Sequence, residues 1–170
     1  MVLLITGANG QLGSELNNIL QKGVSELGDL PAAYAGCKVL AVDVDELDIT
    51  SADAVDSFFS RHKPDLVFNC AAMTNVDGCE SDEKRAYRVN ALGPMNLAIA
   101  SQKHGSRLLH VSTDYVFRGD GERPYTEHDT PSLCYVNRKS VKKSSANPVH
   151  DHGNFPGFII HTKTVLISRI

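Results

Sequence analysis

Residues 1–16, MVLLITGANGQLGSEL, combine an apolar run with a glycine-rich loop and the start of a periodic segment. Residues 2–5 contain no polar side chain, which is typical of a strand buried on both faces of a parallel sheet. Beyond the loop, apolar residues recur at helical spacing from Leu12 to Leu20. A strand, a glycine loop and a helix in this order predict a unit that binds the pyrophosphate of a dinucleotide.

The loop TGANGQLG (6–13) has the spacing T-G-x-x-G-x-x-G. We expect Gly7 to form the tight turn after the strand, Gly10 to let a pyrophosphate approach the backbone, and Gly13 to let the helix pack closely on the sheet. The N–H groups and the dipole at the start of the helix attract phosphates. A tight turn without a ligand is the alternative, and the flanking strand and helix favour the binding interpretation.

Composition limits the class of protein. The chain has 170 residues, of which 42% are hydrophobic and 22% charged, as in one globular domain. A net charge of −3 gives no electrostatic reason to expect nucleic acid or an anionic membrane as partner. No apolar run is long enough to cross a bilayer, and no basic segment precedes a signal-like apolar core. We therefore predict a cytoplasmic protein.

The four cysteines are scattered, without the paired spacing of a metal site, and we expect no disulfide framework. His150, His152 and His161 lack a recurring ligand spacing, so we predict no metal there.

The segment KVLAVD (38–43) predicts a second strand, after a loop over residues 22–36 that is rich in Gly, Pro and Ala. An acidic residue at the end of this strand, here Asp43, grips the adenosine ribose hydroxyls in dinucleotide folds. A negative charge would repel a ribose 2′-phosphate, which favours NADH over NADPH. The alternative is a surface aspartate that begins a turn.

The remaining pattern alternates between helix and strand through residue 117. Thr50 or Ser51 is expected to cap a helix, and Pro94 to kink a later one over residues 87–100. Strands are predicted over residues 64–72 and 107–112, with hydroxyls following the latter. This alternation predicts an α/β, Rossmann-like, doubly wound parallel sheet with ligands at the carboxyl ends of its strands.

These segments resemble the extended short-chain dehydrogenase/reductase superfamily and, within it, the RmlD-like dTDP-4-dehydrorhamnose reductase family. The residues that carry the resemblance are TGANGQLG (6–13), DIT (48–50), NCAAMTNVD (69–77), VN (89–90), STDYVF (112–117), PYTE (124–127) and DTP (129–131). The match covers about residues 1–132, which we expect to form an NAD(P)-binding Rossmann domain, with residues 133–170 as an atypical C-terminal tail.

The resemblance implies reduction of the 4-keto group of dTDP-4-dehydro-L-rhamnose to dTDP-L-rhamnose by NADH or NADPH. The partner would be a dTDP-sugar, and a homodimer is compatible with the family. In some relatives an acidic residue at the position of Glu15 contributes to a Mg²⁺ site, which is not predicted here.

The resemblance also implies roles for individual residues along the cofactor. It places Gly10, Gln11 and Leu12 at the pyrophosphate, Asp43 at the ribose, and Asp48 and Ile49 by the adenine. It places Ala71, Ala72 and Thr74 towards the nicotinamide, and Thr113 at the keto oxygen as the catalytic hydroxyl.

The family also uses a Tyr-x-x-x-Lys pair, in which the tyrosine donates a proton to the sugar oxygen and the lysine assists it. Ungapped alignment puts Asn137 and Val141 at those positions, and neither can do this chemistry. Tyr135 and Lys139 satisfy the motif two positions earlier. Either a two-residue deletion preserves the pair, or the match is due to chance.

The composition changes after about residue 132. Residues 132–170 contain six Lys or Arg and one Asp, and their breaks at Pro148 and Pro156 do not fit the family's long helix. We expect a segment foreign to the family, as after a frameshift or truncation, with the substrate domain largely missing. Residues 158–160 and 164–167 could still add a strand at an edge of the sheet.

Two other functions stay open at this point. One is a non-catalytic dinucleotide-binding subunit that resembles the regulatory subunit of methionine adenosyltransferase. The other is a sugar-nucleotide epimerase or dehydratase, which needs the same tyrosine and lysine. Intact glycines and Thr113 favour the reductase, whereas the displaced Tyr135 and Lys139 favour binding without turnover.

Overall fold

A computed structural model describes residues 1–112, 126 and 165–168 of the chain, and the structural statements below concern those residues. Its strands are β1 (Val2–Thr6), β2 (Val24–Ser25), β3 (Gly28–Asp29), β4 (Lys38–Val42), β5 (Leu66–Asn69), β6 (Arg107–Val111) and β7 (Val165–Ser168). Its α-helices are α1 (Gln11–Lys22), α2 (Ala52–His62), α3 (Val76–Ser81), α4 (Glu83–Tyr87) and α5 (Gly93–His104).

The main sheet has the strand order β4-β1-β5-β6-β7. The first four strands are parallel, and β7 pairs antiparallel with β6 at the edge. From β1 the chain passes through α1 to β4 on one side, and then through α2 to β5 on the other side. Right-handed crossovers that run in opposite directions place their helices on opposite faces, so the sheet is doubly wound, as predicted.

The core lies between the sheet and the pair of helices α2 and α5, which pack against each other. Leu4 of β1 lies in register with Val67 of β5, and Val67 with Leu108 of β6, so all three side chains line one face. Val55 and Phe59 of α2 are fully buried against this face. Burial of this kind is the main source of stability in such a layered fold.

Helix α2 begins as the sequence predicts. Of the two candidate caps, Ser51 is the N-cap, and its Oγ accepts a hydrogen bond from the Ala54 amide at 3.3 Å. Asp53 lies in the first turn, where its charge complements the helix dipole. The helix ends at Lys63, which adopts the left-handed conformation with φ of 47°.

The predicted loop over residues 22–36 contains more structure than its composition indicated. Strands β2 and β3 form a two-stranded antiparallel hairpin, and a 3₁₀ helix follows at Ala32–Tyr34. Two-residue strands are too short to show an alternating pattern, so the sequence carried no signal for them. Within residues 64–72, predicted as a strand that runs into a turn of small residues, β5 covers Leu66–Asn69 and the alanines follow it.

The predicted kink at Pro94 takes a different form. A π-helical turn, Arg88–Leu92, precedes α5, and Pro94 lies in the first turn of that helix. A proline is tolerated there because the first-turn N–H groups have no partner within the helix. The irregular turn therefore lies before the proline instead of at it.

The predicted edge strand within residues 164–167 is confirmed with a shift of one residue, as β7. Residues 158–160, the other candidate, lie outside the described residues. Within the described part of the chain, no helix has the length and apolarity needed to cross a membrane.

Candidate functional site

The candidate site lies at the carboxyl ends of β1 and β5. These neighbouring strands flank the point where the chain's connections change direction, and ligands of open α/β sheets bind in the crevice at that point. The glycine loop leaves β1 here, and residues 70–75 leave β5.

Gly7 brings the two loops together. Its φ is 65°, a conformation that favours glycine, and a Cβ at this position would lie 2.6 Å from both the Cα and the N of Ala71. No larger residue fits this turn without displacing the segment after β5. The predicted role of Gly7 in the tight turn agrees with this geometry.

Gly13 and Gly10 have different surroundings. A Cβ on Gly13 would overlap the Gly7 carbonyl oxygen and lie 2.8 Å from the Ala8 Cα, so Gly13 permits a close approach of α1 to the backbone directly after β1. Helix α1 also contacts β1 and β4 of the sheet. Among the described residues, a Cβ on Gly10 would approach only the Gly7 carbonyl oxygen, at 3.2 Å. A Cβ here would otherwise enter space that no atom of the described residues fills.

The N-terminus of α1 carries no acceptor of its own. Gly10 is the N-cap, no side chain caps the helix, and its first turn contains no acidic residue. By contrast, Ser51, Asn75 and Asp82 each cap the helix that follows them with a side-chain oxygen. Within the described part of the chain, the N–H groups of Gln11 and Leu12 have no hydrogen-bond acceptor, so they are available to an anion.

Asp43 follows directly after β4 and is bonded to the glycine loop. Its Oδ2 accepts a hydrogen bond from the Asn9 amide at 3.0 Å, and its Oδ1 accepts one from the Val44 amide at 2.8 Å. Glu46 is close by, since its Oε2 accepts from the Asp43 amide at 2.9 Å. The Asp43 carboxylate thus lies beside the loop, with Glu46 bonded to the Asp43 amide, at the end of β4 where a dinucleotide fold places the adenosine ribose.

Asp48 and Ile49, the residues expected by the adenine, differ in exposure. Asp48 is exposed and accepts a hydrogen bond from the Thr50 amide at 2.9 Å. The Ile49 side chain is only 5% exposed and belongs to the core, and a Cβ on Gly93 would lie 2.6 Å from its Cδ1. Its carbonyl accepts from Asn96 Nδ2 at 2.9 Å. Any contact of Ile49 with an adenine would therefore involve its backbone.

The loop after β5 is held by two asparagines. Asn69 Oδ1 accepts from the Ala71 amide at 3.2 Å, and Asn90 binds both backbone groups of Met73, at 2.7 Å and 2.9 Å. Ala72 and Thr74 are exposed between these anchors. Both asparagines belong to segments that carry the family resemblance, but the sequence alone assigns neither a role, because their contacts depend on tertiary structure.

A row of polar side chains crosses the sheet below these loops. Thr6, Asn69 and His110 are register partners on β1, β5 and β6. Thr6 Oγ1 donates to Asn69 Oδ1 at 2.6 Å, and Asn69 Nδ2 lies 2.9 Å from His110 Nδ1. Burial lowers the pKa of His110, so its imidazole is neutral at pH 7. This row was not predicted from the sequence, where its signal is a polar residue near the end of each of three apolar strands.

The residues predicted for catalysis, Thr113, Tyr135 and Lys139, lie outside the described residues. Glu15 is exposed on α1. In the part of the chain that the structure describes, no three His, Cys, Asp or Glu side chains are grouped so as to hold a metal ion. Cys37, Cys70 and Cys79 are free thiols, and burial raises the pKa of Cys70.

Comparison with known proteins gives this arrangement a family. The family model described as the RmlD substrate binding domain matches residues 1–140. The chain belongs to this family. The dTDP-4-dehydrorhamnose reductase of Mycobacterium tuberculosis is 46% identical over 143 residues, which are 81% of this chain and 42% of the relative.

Solved structures agree with the family assignment. A dTDP-4-dehydrorhamnose reductase from Clostridium acetobutylicum is 45% identical with a TM-score of 0.65, covering 78% of this chain and 43% of that protein. The Bacillus anthracis enzyme, solved in complex with NADP, is 37% identical with a TM-score of 0.64, covering 77% and 43%. The chain thus spans less than half the length of these relatives.

Proposed function

We propose that the chain is the dinucleotide-binding part of an NAD(P)H-dependent reductase that converts dTDP-4-dehydro-L-rhamnose to dTDP-L-rhamnose. The observation that carries this proposal is the open side of Gly10 beside the uncapped N-terminus of α1. A pyrophosphate fits in the space that a Cβ on residue 10 would occupy, where it can also accept hydrogen bonds from the N–H groups at the start of α1. The names of the relatives supply the reaction and the sugar nucleotide.

The residues present fit a dinucleotide along the carboxyl edge of the sheet. Gly10, Gln11 and Leu12 would hold the pyrophosphate through their backbone N–H groups. Asp43 would accept hydrogen bonds from the ribose hydroxyls, and Ala71, Ala72 and Thr74 would line the approach to the nicotinamide. When bound, the reduced nicotinamide supplies the hydride for the sugar carbon.

The carboxylates of Asp43 and Glu46 favour NADH over NADPH in this proposal. A ribose 2′-phosphate would stand beside two negative groups that are joined through the Asp43 amide. The Bacillus anthracis relative was solved with NADP, so a member of the family accepts the phosphorylated cofactor. We therefore expect the carboxylates of Asp43 and Glu46, and not membership of the family, to determine whether this chain prefers NADH or NADPH.

Thr113 is proposed to polarise the keto oxygen, Tyr135 to donate the proton to it, and Lys139 to stabilise the charge that develops on the tyrosine. Four further features likewise stay predictions: the division of the chain near residue 132, the dTDP-sugar partner, the homodimer and the cytoplasmic location.

The second candidate function is cofactor binding without turnover. It is favoured by Asn137 and Val141, which stand at the positions where ungapped alignment expects tyrosine and lysine.

An assay of NADH consumption with dTDP-4-dehydro-L-rhamnose tests the reductase. We expect turnover by the purified chain that is lost in Thr113→Ala and in Tyr135→Phe, while both variants still bind NADH. Cofactor binding with no turnover in any variant would favour the non-catalytic subunit. Unchanged turnover in both variants would contradict the assignment of the site.

A further inference from the structure

The row formed by Thr6, Asn69 and His110 links the ends of three parallel strands. The three residues are direct register partners, so their side chains leave the same face of the sheet side by side. Thr6 and Asn69 are each 1% exposed. Thr6 is the first residue of the glycine loop, Asn69 comes directly before the loop over residues 70–75, and His110 precedes Ser112 and Thr113 by two and three residues.

The hydrogen bonds of Asn69 fix the roles of all three side chains. Its Oδ1 accepts from the Thr6 hydroxyl at 2.6 Å and from the Ala71 amide at 3.2 Å. Its Nδ2, which can only donate, therefore faces His110 Nδ1 at 2.9 Å. The imidazole must accept at Nδ1 and carry its proton on Nε2.

This row decides which way the Asn69 amide points. Without an acceptor on β6, Nδ2 would be a buried donor with no partner, and such groups destabilise the arrangement that leaves them unsatisfied. Rotation of the amide would relieve that cost, but it would turn Nδ2 towards the Ala71 N–H and the Thr6 hydroxyl. The Ala71 amide would then face a donor and lose its acceptor.

Ala71 is the point at which the two loops of the site meet. Its N and Cα lie where a Cβ on Gly7 would stand, at 2.6 Å. A shift of the Ala71 peptide therefore moves the segment against which the glycine turn packs.

We propose that His110 is a positioning residue that, through Asn69, holds the Ala71 peptide and the Gly7 turn in the arrangement that accepts the dinucleotide. This inference rests on the proposed function for its effect on cofactor binding. Its effect on the Ala71 amide is independent of any ligand. His110 itself touches no cofactor in this proposal and acts only through its neighbours.

The experiment compares His110→Phe, which keeps a ring but removes the acceptor, with His110→Asn, whose Oδ1 can replace Nδ1. Hydrogen exchange of the Ala71 amide is measured without ligand, and NADH affinity by calorimetry. In His110→Phe we expect exchange at Ala71 to accelerate about tenfold and the Kd for NADH to rise at least about fivefold. His110→Asn should restore both values towards wild type.

His104→Phe is the matched control. This histidine also bonds a side chain, Asp56 at 2.8 Å, but it lies at the end of α5, just before β6 begins, and so at the opposite edge of the sheet. Its loss should leave Ala71 exchange and NADH affinity unchanged. If His110→Phe does not fold, His110→Leu, which also removes the acceptor on β6, should accelerate exchange at Ala71 in the same way.

The outcomes separate the two proposals. Nitrogen NMR of the wild type should show His110 with Nδ1 unprotonated and Nε2 protonated. Unchanged exchange and affinity in His110→Phe would overturn the positioning role, although NADH binding by the wild type would still support the proposed function. Faster exchange in His110→Phe, in a protein whose wild type binds neither NADH nor NADPH, would uphold the positioning role and contradict the proposed function.

Discussion

The Asp43 carboxylate accepts a hydrogen bond from the Asn9 amide at 3.0 Å, which joins the end of β4 to the glycine loop of β1. The residue expected to grip the adenosine ribose therefore also fixes the loop expected to hold the pyrophosphate. One oxygen, Oδ2, is bonded to the loop, and Oδ1 to the Val44 amide, and each oxygen keeps a further lone pair for a ribose hydroxyl.

Replacing this carboxylate should change cofactor preference. Asp43→Asn keeps an acceptor for the Asn9 amide but removes the negative charge that opposes a 2′-phosphate. We expect the ratio of NADPH to NADH affinity to rise about tenfold, which corresponds to about 1.4 kcal/mol. Calorimetric titration with each cofactor measures the ratio, with Asp45→Asn as a neighbouring control. An equal change in the two variants would show that Asp43 has no specific role.

Gly10 and Gly13 should respond differently to the same substitution. Gly13→Ala forces a Cβ into the Gly7 carbonyl and the Ala8 Cα, so we expect the free energy of unfolding to fall by about 1–3 kcal/mol. In Gly10→Ala the methyl group meets one atom of the described residues, at 3.2 Å, so we expect the protein to fold with little loss of stability. The methyl group nevertheless occupies the space proposed for the pyrophosphate.

Urea unfolding and NADH titration of the two variants check this difference. We expect Gly10→Ala to lose affinity while its unfolding midpoint stays near that of the wild type. A Gly10→Ala protein that binds NADH as well as the wild type would exclude the proposed position of the pyrophosphate.

Two serines near the end of α5 should have opposite effects on stability. Ser101 Oγ is buried without a hydrogen-bond partner in the described part of the chain, whereas Ser106 Oγ donates to the Pro64 carbonyl at 2.5 Å. Ser101→Ala removes an unsatisfied hydroxyl, so we expect the free energy of unfolding to rise by up to about 1 kcal/mol. Ser106→Ala should lower it by about 1 kcal/mol.

Chemical denaturation of both serine variants provides the test. A loss of stability in Ser101→Ala as large as that in Ser106→Ala would mean that the Ser101 hydroxyl has a partner in the folded protein.

Stability should also depend on pH through His110. Burial lowers the pKa of this histidine in the folded protein below its ordinary value of 6.5, so the unfolded chain binds the proton more readily. The stabilising contribution is complete above about pH 7 and is lost as the pH falls below about 6.5 towards the folded pKa. Asp56 affects stability in a separate and lower pH range, because hydrogen bonds from Lys103 and His104 lower the pKa of its carboxyl below 3.8.

Unfolding free energies measured at several pH values between about 7 and 5 test this dependence. We expect the wild type to lose more stability over this range than His110→Asn, which has no titrating group at that position. Parallel curves for the two proteins would show that His110 is not the group responsible.

The sequence allowed prediction of the features that depend on local patterns. Hydrophobic periodicity and capping preferences predict the strand–loop–helix order of residues 1–22, the strand β4 just before Asp43, and the Ser51 cap. These signals lie within a few residues of each other, so they do not depend on the rest of the fold. The tight turn at Gly7 and the close approach at Gly13 were predicted from the glycine spacing, and the role of Gly10 at a pyrophosphate stays a prediction.

Other features depend on contacts between distant residues and could not be predicted. Ile49 lies between the polar residues Asp48 and Thr50, which resembles an exposed turn, yet helix α5 covers its side chain. The bond from Asn69 to His110 joins residues 41 positions apart and requires the register of two strands. Neither spacing nor composition carries that register.

The central claim is that this chain binds a dinucleotide at its glycine loop, and calorimetric titration of the purified chain with NADH, compared with NADPH, tests it most directly. We predict micromolar binding of NADH, weaker binding of NADPH, and loss of both in Gly10→Ala. A chain that unfolds cooperatively, and is therefore folded, but that binds neither cofactor would contradict the claim.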